Sequence, residues 1–328
     1  MNSRRRQLMG AGAVCLLTPA LGWAAANARP VRLLVLDNDT PGARTSFKSF
    51  LQALDRRFGN SPTRFETLFV PLSTDTRNNY ALLIPKAATP FRPDIIFASN
   101  QEQALACAAL KMGKPIIFYS SVDPIAGQLT ESLTRPSKGM TGFVLGTRVA
   151  VKRREMLLRL APHCKRMGLL TSSDLLSEGQ ARTSGSMQDA VAGVTQQRFE
   201  CDSVAQLEAL MKSAAGRAVD AWDVEYTMVP YQYAEETVRC FNQLKRPVIY
   251  PRMKHIQMGG MAAYAPKIEE ADDVWVSQLA SLLAGVPIEN IPIVQSTRYS
   301  FGLNLKACHR AGVVPSKALI RIADVVIE

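Results

Sequence analysis

The sequence predicts an α/β protein with two doubly wound, Rossmann-like lobes, each built on a parallel sheet. From residue 29 onward, short apolar runs alternate with segments of helical periodicity, which is typical of β-α-β units. Runs such as 95–97 (Ile-Ile-Phe) are apolar without alternation, as in parallel strands that helices cover on both faces. The alternation occurs in two successive series, and 328 residues suffice for about two domains.

The first series begins with a strand at 31–36 and a helix that starts at Thr40 and Pro41, since Thr is a favoured N-cap and Pro is favoured in the first turn. Apolar residues at helical spacing then give this helix one buried face: Phe47, Phe50, Leu51, Leu54 and Phe58. The other predicted elements of the series are strands at 64–72, 94–98, 115–119 and 140–144 and a helix at 101–112.

The second series repeats the pattern without a Gly/Ser-rich linker, so we expect short strands to join the lobes as a hinge. We expect one lobe to comprise 29–145 and 251–284, and the other 146–250 and 285–328. The predicted helices are 152–160, 177–192, 204–215, 233–244, 269–284 and one from 306; the predicted strands are 166–171, 197–200, 219–224, 247–250 and 260–264, with extended segments in 292–304.

Residues 1–28 have the order of an export signal. Three arginines at 4–6 precede an uncharged stretch, which closes with the small-x-small sequence Ala26-Asn27-Ala28. Cleavage is favoured over a retained membrane anchor because the stretch is rich in Gly and Ala and contains Pro19. Residues 5–9 also resemble a twin-arginine signal, so the Sec and twin-arginine routes both remain open. Either route predicts a periplasmic protein.

Composition and charge exclude several classes of protein. With 47% hydrophobic and 20% charged residues, the chain is neither disordered nor a small disulfide scaffold. Its net charge of +11 falls to about +8 without residues 1–28, and the positive residues are scattered, so we expect no nucleic-acid partner. Five cysteines follow residue 28 without a C-x-x-C, and Cys107 and Cys240 sit among apolar residues, as buried thiols do.

Motifs of catalysis and of cofactor binding are absent from the sequence. There is no G-x-S-x-G elbow, P-loop, G-x-G-x-x-G turn or H-E-x-x-H helix. We therefore expect no enzymatic activity, no cofactor and no metal. His255 lies in a loop past a predicted strand end, where it is a minor candidate for reaching a ligand.

Small polar residues follow the predicted strands, at the sheet edge where open α/β folds bind ligands. The alternative for each residue is helix capping, because Ser, Thr, Asp and Asn are also the preferred N-caps. Their recurrence after strand upon strand favours a site for a small polar ligand. The candidate ligand-binding residues from these clusters are Asp37, Asn38, Asp39, Ser99, Asn100, Ser120, Ser121, Asp123, Ser172, Tyr226 and Thr227.

Two stretches of the chain are distinctive: residues 133–142 are L-T-R-P-S-K-G-M-T-G, and residues 260–266 are G-M-A-A-Y-A-P. They are similar to the stretches S-L-x-R-P-G-x-N-x-T-G and G-A-L-A-S-Y-G-P of the ABC-transporter substrate-binding proteins of the tryptophan/tyrosine type, which the chain resembles. The resemblance covers nearly all of the chain after residue 28, in the family's order. Its other segments are 93–98, 114–118, 122–124, 304–308 and 323–328.

The resemblance implies a type I periplasmic-binding-protein architecture that closes on a ligand without catalysis. It implies two partners, which are a small-molecule ligand and a permease at the inner membrane. It also implies that the protein is a monomer. Asp123 is the residue it favours for pairing with a cationic group of the ligand, followed by Ser99 and Tyr226. The chain has Tyr226-Thr227-Met228 where the family has Thr-Asp-Asn, so either a different ligand or a loss of binding is expected.

Three functions remain open on this fold. The first is a solute-binding component of an ABC import system, which closes on an amino-acid-like or related ligand. The second is a sensory or partner-binding protein without transport. The third, an enzyme, is disfavoured by the missing motifs.

Overall fold

The computed structural model describes residues 29–328 apart from 73–78, 122, 126, 146–148, 173–192 and 268. The predicted export signal at 1–28 and the predicted helix at 177–192 lie outside the described residues. Within the described part, no helix is both long and apolar enough to span a membrane. The two predicted α/β lobes are confirmed.

The first lobe is an α/β unit whose strands all run parallel. Its described strands form one sheet in the order β11-β5-β4-β3-β1-β2. The strands are β1 (Val31–Asn38), β2 (Phe65–Leu72), β3 (Ile95–Ala98), β4 (Ile116–Ser120), β5 (Met140–Val144) and β11 (Val294–Gln295). The helices are α1 (Pro41–Phe58), α2 (Tyr80–Phe91), α3 (Gln101–Ala109) and α10 (Glu269–Leu283).

Both faces of the first sheet are buried, which explains why its strands are apolar without alternation. On one face, α1 and α10 pack through Phe50, Leu54 and Leu279 onto Phe97. On the other face, α2 and α3 cover the sheet through residues such as Ile84.

The second lobe has a mixed sheet with the described order β13-β12-β10-β9-β8-β6-β7. Its strands are parallel except where β12 runs antiparallel to β10. The strands are β6 (Arg166–Thr171), β7 (Thr195–Glu200), β8 (Ala221–Val224), β9 (Val248–Tyr250), β10 (Ala262–Pro266), β12 (Tyr299–Asn304) and β13 (Val325–Ile327). The helices are α4 (Val149–Leu160), α5 (Val204–Lys212), α6 (Ala214–Arg217), α7 (Met228–Gln232), α8 (Ala234–Leu244), α9 (Met253–Gln257), α11 (Leu305–Arg310) and α12 (Lys317–Arg321).

The five cysteines after residue 28 are all buried and carry free thiols. Burial raises the pKa of Cys107 to about 12 and that of Cys308 to about 11. These thiols are therefore protonated at neutral pH and pack as small apolar groups.

The chain divides between the lobes differently from the expected boundaries. Residues 262–266, expected in the first lobe, form β10 of the second sheet, because α9 returns the chain beside β9 before it crosses. Residues 294–295, expected in the second lobe, form β11, which pairs with β5 of the first. The first lobe thus includes α10, as expected, and gains β11, while the second lobe keeps the segment through β10.

The hinge is held together by Glu270, near the start of α10. The chain crosses between lobes three times: between β5 and α4, after β10, and between β11 and β12. Glu270 lies in the crossing after β10, and its carboxylate accepts hydrogen bonds from the crossing between β11 and β12. The donors are Ser296 Oγ (2.7 Å), Thr297 Oγ1 (2.7 Å), Thr297 N (3.0 Å) and Arg298 N (3.0 Å). One buried carboxylate therefore joins two segments that must bend together when the lobes move.

Candidate functional site

The carboxyl ends of strands from both sheets meet between the lobes, and we call this region the cleft. On the first lobe, the residues lie at the ends of β1 and β4 and just after β3. On the second lobe, they follow β8 and β9 and include the short helix α7. The described side chains that define the cleft are Asp37, Ser99 and Tyr119 on one side and Tyr226, Tyr231 and Arg252 on the other.

Asp37 and Ser99 form the polar centre of the first lobe's side. The Ser99 hydroxyl donates to Asp37 Oδ1 at 2.5 Å, and the N–H of Asn38 donates to the same oxygen at 2.7 Å. Burial raises the pKa of Asp37, although both hydrogen bonds favour its charged form. Among the described residues, no Lys, Arg or His forms an ion pair with it. The carboxyl group is therefore available to a donor on a ligand.

The neighbouring polar residues of the first lobe are largely structural. Asn100 is the N-cap of α3 and accepts a bond from the N–H of Gln103, while its amide donates to Asn38 Oδ1 at 3.3 Å. Thr40 caps α1 by accepting from Ala43 N. Asn100 is therefore a helix cap, as the capping alternative predicted. A capping role is compatible with a position beside the cleft.

The second lobe contributes aromatic rings and a cation. Tyr226 follows β8, and its ring centroid lies 5.9 Å from that of Tyr231 in α7. The guanidinium carbon of Arg252, just after β9, lies 4.5 Å from the centroid of the Tyr231 ring, within cation–π range. Burial raises the pKa of Tyr231 to about 12, so this phenol is neutral at physiological pH.

The two sides touch across the cleft. The hydroxyls of Tyr119 and Tyr226 share a hydrogen bond, and Tyr231 shares one with Thr40. A Cβ atom at Gly42, near the start of α1, would lie 3.7 Å from the Tyr231 hydroxyl. The lobes are therefore in contact through groups that also line the cleft.

The remaining predicted residues are spread around this centre. Asp39 is exposed and pairs with Arg44 at 3.3 Å, and Ser121 is exposed. Ser120 and Ser172 are buried at their strand ends. Asp123 lies in the turn after β4, where Oδ1 accepts from the N–H of Ile125 at 2.8 Å. 

Thr227 and Glu225 lie behind Tyr226 and belong to a buried polar layer. The hydroxyl of Thr227 is buried and makes no hydrogen bond with the described residues. Glu225 accepts from Arg154 Nη2 at 3.1 Å, and Arg154 also donates to Asp223 at 3.0 Å. These contacts fix the end of β8, from which the chain leads into Tyr226.

His255 is fully buried beneath the cleft, and the hypothesis that it reaches a ligand is wrong. Its ring nitrogens contact the carbonyl oxygens of Arg252 (3.1 Å) and Pro230 (3.0 Å), and its ring stacks on Tyr250. It therefore links the segment that carries Arg252 to the segment that carries Tyr231.

Tyr119, Tyr231 and Arg252 are cleft residues that the sequence patterns did not identify. Tyr119 ends a predicted strand, and Arg252 lies in the same loop as His255. Their positions at or just past strand ends are the signal by which both could have been identified as cleft residues. Among the described residues, no group of three or more His, Cys, Asp or Glu side chains is arranged to hold a metal ion.

A comparison with protein families matches residues 75–327 to the sequence model of the family described as ABC transporter substrate binding protein. This match spans most of the chain and includes strands of both lobes. A comparison with curated protein sequences finds no match.

Solved structures with similar folds cover nearly the whole chain. A Streptococcus pneumoniae ABC domain in complex with L-Trp has a TM-score of 0.78 at 19% identity, covering 91% of this chain and 100% of that one. A conserved domain protein of Vibrio cholerae has a TM-score of 0.75 at 16% identity, with the same coverage of 91% and 100%. A ligand-free, open substrate binding protein with adhesive properties from Clostridium difficile has a TM-score of 0.68 at 18% identity, covering 90% and 98%. At these identities the similarity establishes the fold.

Proposed function

The chain belongs to the ABC transporter substrate-binding protein family, and from this premise we propose that it is an exported solute-binding protein of an ABC import system. Its two lobes close around a small polar, amino-acid-like ligand and deliver that ligand to a permease at the inner membrane. It acts in the periplasm as a monomer, without catalysis.

The observation that carries this proposal is the meeting of side chains from both lobes in one cleft. Asp37 and Ser99 offer a carboxyl and a hydroxyl from one lobe, and Arg252 offers a guanidinium from the other. A ligand that bonds to both sides stabilises the closed arrangement by its differential affinity for that state. The two chain crossings joined by Glu270 supply the hinge for such a closure.

The proposal is tested by a thermal-melt screen of protein that has been unfolded and refolded to remove any bound ligand. The panel contains amino acids, purines, sugars, small carboxylic acids and amines. A ligand at one hundred times its dissociation constant adds about 2.7 kcal/mol of stability, which raises the melting temperature by a few degrees. We expect a selective shift within one chemical class. No shift across the panel would contradict ligand binding.

The second candidate function is sensory or partner binding on the same fold. The distinguishing measurement is uptake of the identified ligand by cells with and without the protein. Transport predicts that deletion of the protein lowers uptake at ligand concentrations near its dissociation constant. Unchanged uptake together with retained binding would favour the sensory role.

A further inference from the structure

A cavity lies at the edge of the first sheet opposite the cleft, where β4 and β5 begin. Its volume is about 710 Å³, within the range of about 300–1,000 Å³ of ordinary small-molecule sites. It is bounded by the end of α3, by the segments that lead into β4 and β5, and by Ile288 in the single 3₁₀ turn after α10. No residue of the cleft is among its described lining residues, so the two sites are separate.

The wall of this cavity is largely apolar. Cys107 and Ile116 are buried there, and Leu105, Met112 and Ile288 are half-buried. Leu105 and Met112 pack against the core of the first lobe and also line the cavity. Open apolar surface in a concave site favours an apolar ligand, because binding removes that surface from water.

Three lysines also line the cavity, and its described lining contains no Asp or Glu. Lys111, Lys114 and Lys138 are exposed, and none of them forms an ion pair with another described residue. Lys138 Nζ donates to the carbonyl oxygen of Gln128 at 2.6 Å, which holds this ammonium group and leaves it two further N–H donors. The cavity therefore combines an apolar wall with a positively charged rim.

The acids near the cavity leave this rim positive. Asp94 lies within electrostatic reach of one of the lysines, but its carboxylate already accepts two hydrogen bonds from Arg29. Glu289, next to Ile288, is exposed and carries one charge against three. Arg64 and Arg92, which precede β2 and β3 at the same edge of the sheet, are further exposed cations. This excess of positive charge favours an anionic ligand.

We propose that this cavity is a second binding site, which takes a single-chain amphiphile with an anionic head group, of which a fatty acid is the simplest example. The chain packs against Leu105, Met112 and Ile288, and the head group pairs with the lysines of the rim. A small anion lacks the apolar part and a neutral hydrocarbon lacks the charge, so neither uses both halves of the site. This inference goes beyond the proposed function and does not depend on the ligand of the cleft.

The ligand class is tested by calorimetric titration of the refolded protein with hexanoate, octanoate and decanoate, each below the concentration at which it forms micelles. We expect the affinity to increase with chain length, by up to roughly fourfold for each methylene that is buried. Decyltrimethylammonium, which has the same chain length and the opposite charge, should bind at least tenfold more weakly than decanoate. Equal affinity of the three carboxylates would overturn the role of the apolar wall. Equal affinity of decanoate and decyltrimethylammonium would overturn the role of the lysines, and no saturable binding of decanoate would overturn the proposal as a whole.

The location of the site is tested with a triple variant of the rim, Lys111→Gln, Lys114→Gln and Lys138→Gln. We expect it to lose at least tenfold in affinity for decanoate, because the head group then has no ammonium partner. The control variant removes the same charge from three exposed lysines that do not line the cavity, Lys48→Gln, Lys212→Gln and Lys317→Gln. It should bind decanoate as the wild type does. Equal losses in the two triple variants would show a response to net charge alone and overturn the site.

Two single variants separate this cavity from the cleft. Ala108→Phe fills the cavity and should abolish decanoate binding, whereas Arg252→Gln alters the cleft and should leave it unchanged. Loss of binding in Arg252→Gln alone would place the amphiphile in the cleft and overturn the proposal. The rim variant changes exposed side chains, so it decides the matter even if Ala108→Phe fails to fold. A selective shift in the earlier ligand screen without decanoate binding would leave the proposed function intact, and decanoate binding without such a shift would leave this site intact.

Discussion

Asp223 is fully buried in β8, and it is held by two adjacent arginines of α4. Arg153 binds it through Nε and, at 3.1 Å, through Nη2, while Arg154 donates to it from Nε at 3.0 Å. Arg154 is itself fully buried. Fully buried charges are stable only while each keeps its ion-pair partners, because burial removes the water that would otherwise solvate them.

Replacing Asp223 is therefore expected to be strongly destabilising. Asp223→Ala leaves two buried guanidinium groups without their carboxylate, and the free energy of unfolding should fall by about 3–5 kcal/mol. Glu66→Ala is the matched control, since Glu66 is an exposed acid paired with Arg32 at 2.9 Å and such pairs contribute under about 1 kcal/mol. Urea denaturation measures both changes. A loss for Asp223→Ala no larger than the control's would contradict the account.

At the residue scale, the sequence identified the sheet edges that meet in the cleft better than it identified the role of each side chain there. Asp37, Ser99 and Tyr226 were predicted because each follows a strand, and the strand ends do converge. The same rule selected Asn100, which is a helix cap, and Asp39, which forms an exposed ion pair. Polar residues at strand ends look alike in sequence because capping and ligand binding use the same groups.

At the scale of elements, most strands were predictable, and four described helices (α2, α7, α9 and α12) were not. The strands β1, β3, β4 and β5 lie within two residues of their predicted bounds, because an apolar run flanked by turns has few other interpretations. The helix α2 was missed because it contains Pro85 and Pro90, which remove backbone donors. It forms because Tyr80, Ile84 and Ala88, spaced by one helical turn, are buried in the core. The five-residue α9 is too short for its periodicity to be recognised.

The contact of α10 with the crossing segment 296–298 predicts a role for Glu270 in the stiffness of the hinge. Burial alone would raise the pKa of Glu270, but the hydrogen bonds from residues 296–298 outweigh it and hold the pKa below its usual value. In Glu270→Gln, the side-chain NH₂ group faces some of the N–H and O–H groups of residues 296–298 that donated to the carboxylate. Those hydrogen bonds are therefore lost. We expect about 1–3 kcal/mol lower stability and a larger radius of gyration of the ligand-free protein by small-angle scattering. 

The control for this change is Asp273→Asn, on the same helix. Asp273 is exposed and pairs with Arg298 at 3.2 Å without contacting the crossing backbone. It should alter neither the stability nor the radius by a measurable amount. If both variants open the protein equally, the effect arises from charge on the helix rather than from the hydrogen bonds of Glu270.

At the scale of the whole molecule, His255 makes the stability of the fold depend on pH. Burial lowers the pKa of His255 to about 4, against the opposing effect of the two carbonyl contacts, and nearby Arg252 and Lys254 lower it further. The unfolded chain binds a proton near pH 6.5 and the folded protein does not. The stability is therefore complete above pH 6.5 and decreases as pH falls toward 4, by up to about 1.4 kcal/mol per pH unit.

This dependence can be measured by urea denaturation between pH 7.5 and pH 5. In that window the carboxyl groups with lowered pKa, such as Glu270 and Asp220, remain ionised and contribute little. The wild type should lose roughly 1–2 kcal/mol across the window, and His255→Gln should show a flatter dependence whatever its absolute stability. Parallel dependences in the two proteins would rule out His255 as the source.

The order of the two lobes' segments along the chain also determines when the first lobe can fold during synthesis. Trp275 of α10 packs against Phe50 (5.9 Å between ring centroids) and Phe97 (5.7 Å). A ribosome therefore completes β1, α1 and β3 long before it synthesises the helix that covers them. Until then, α1 covers only part of this apolar face of the sheet, and a fragment ending at residue 145 would lack the part of the cover that α10 supplies. Folding of the first lobe must wait for the last quarter of the chain, which leaves the polypeptide open to chaperones throughout its synthesis.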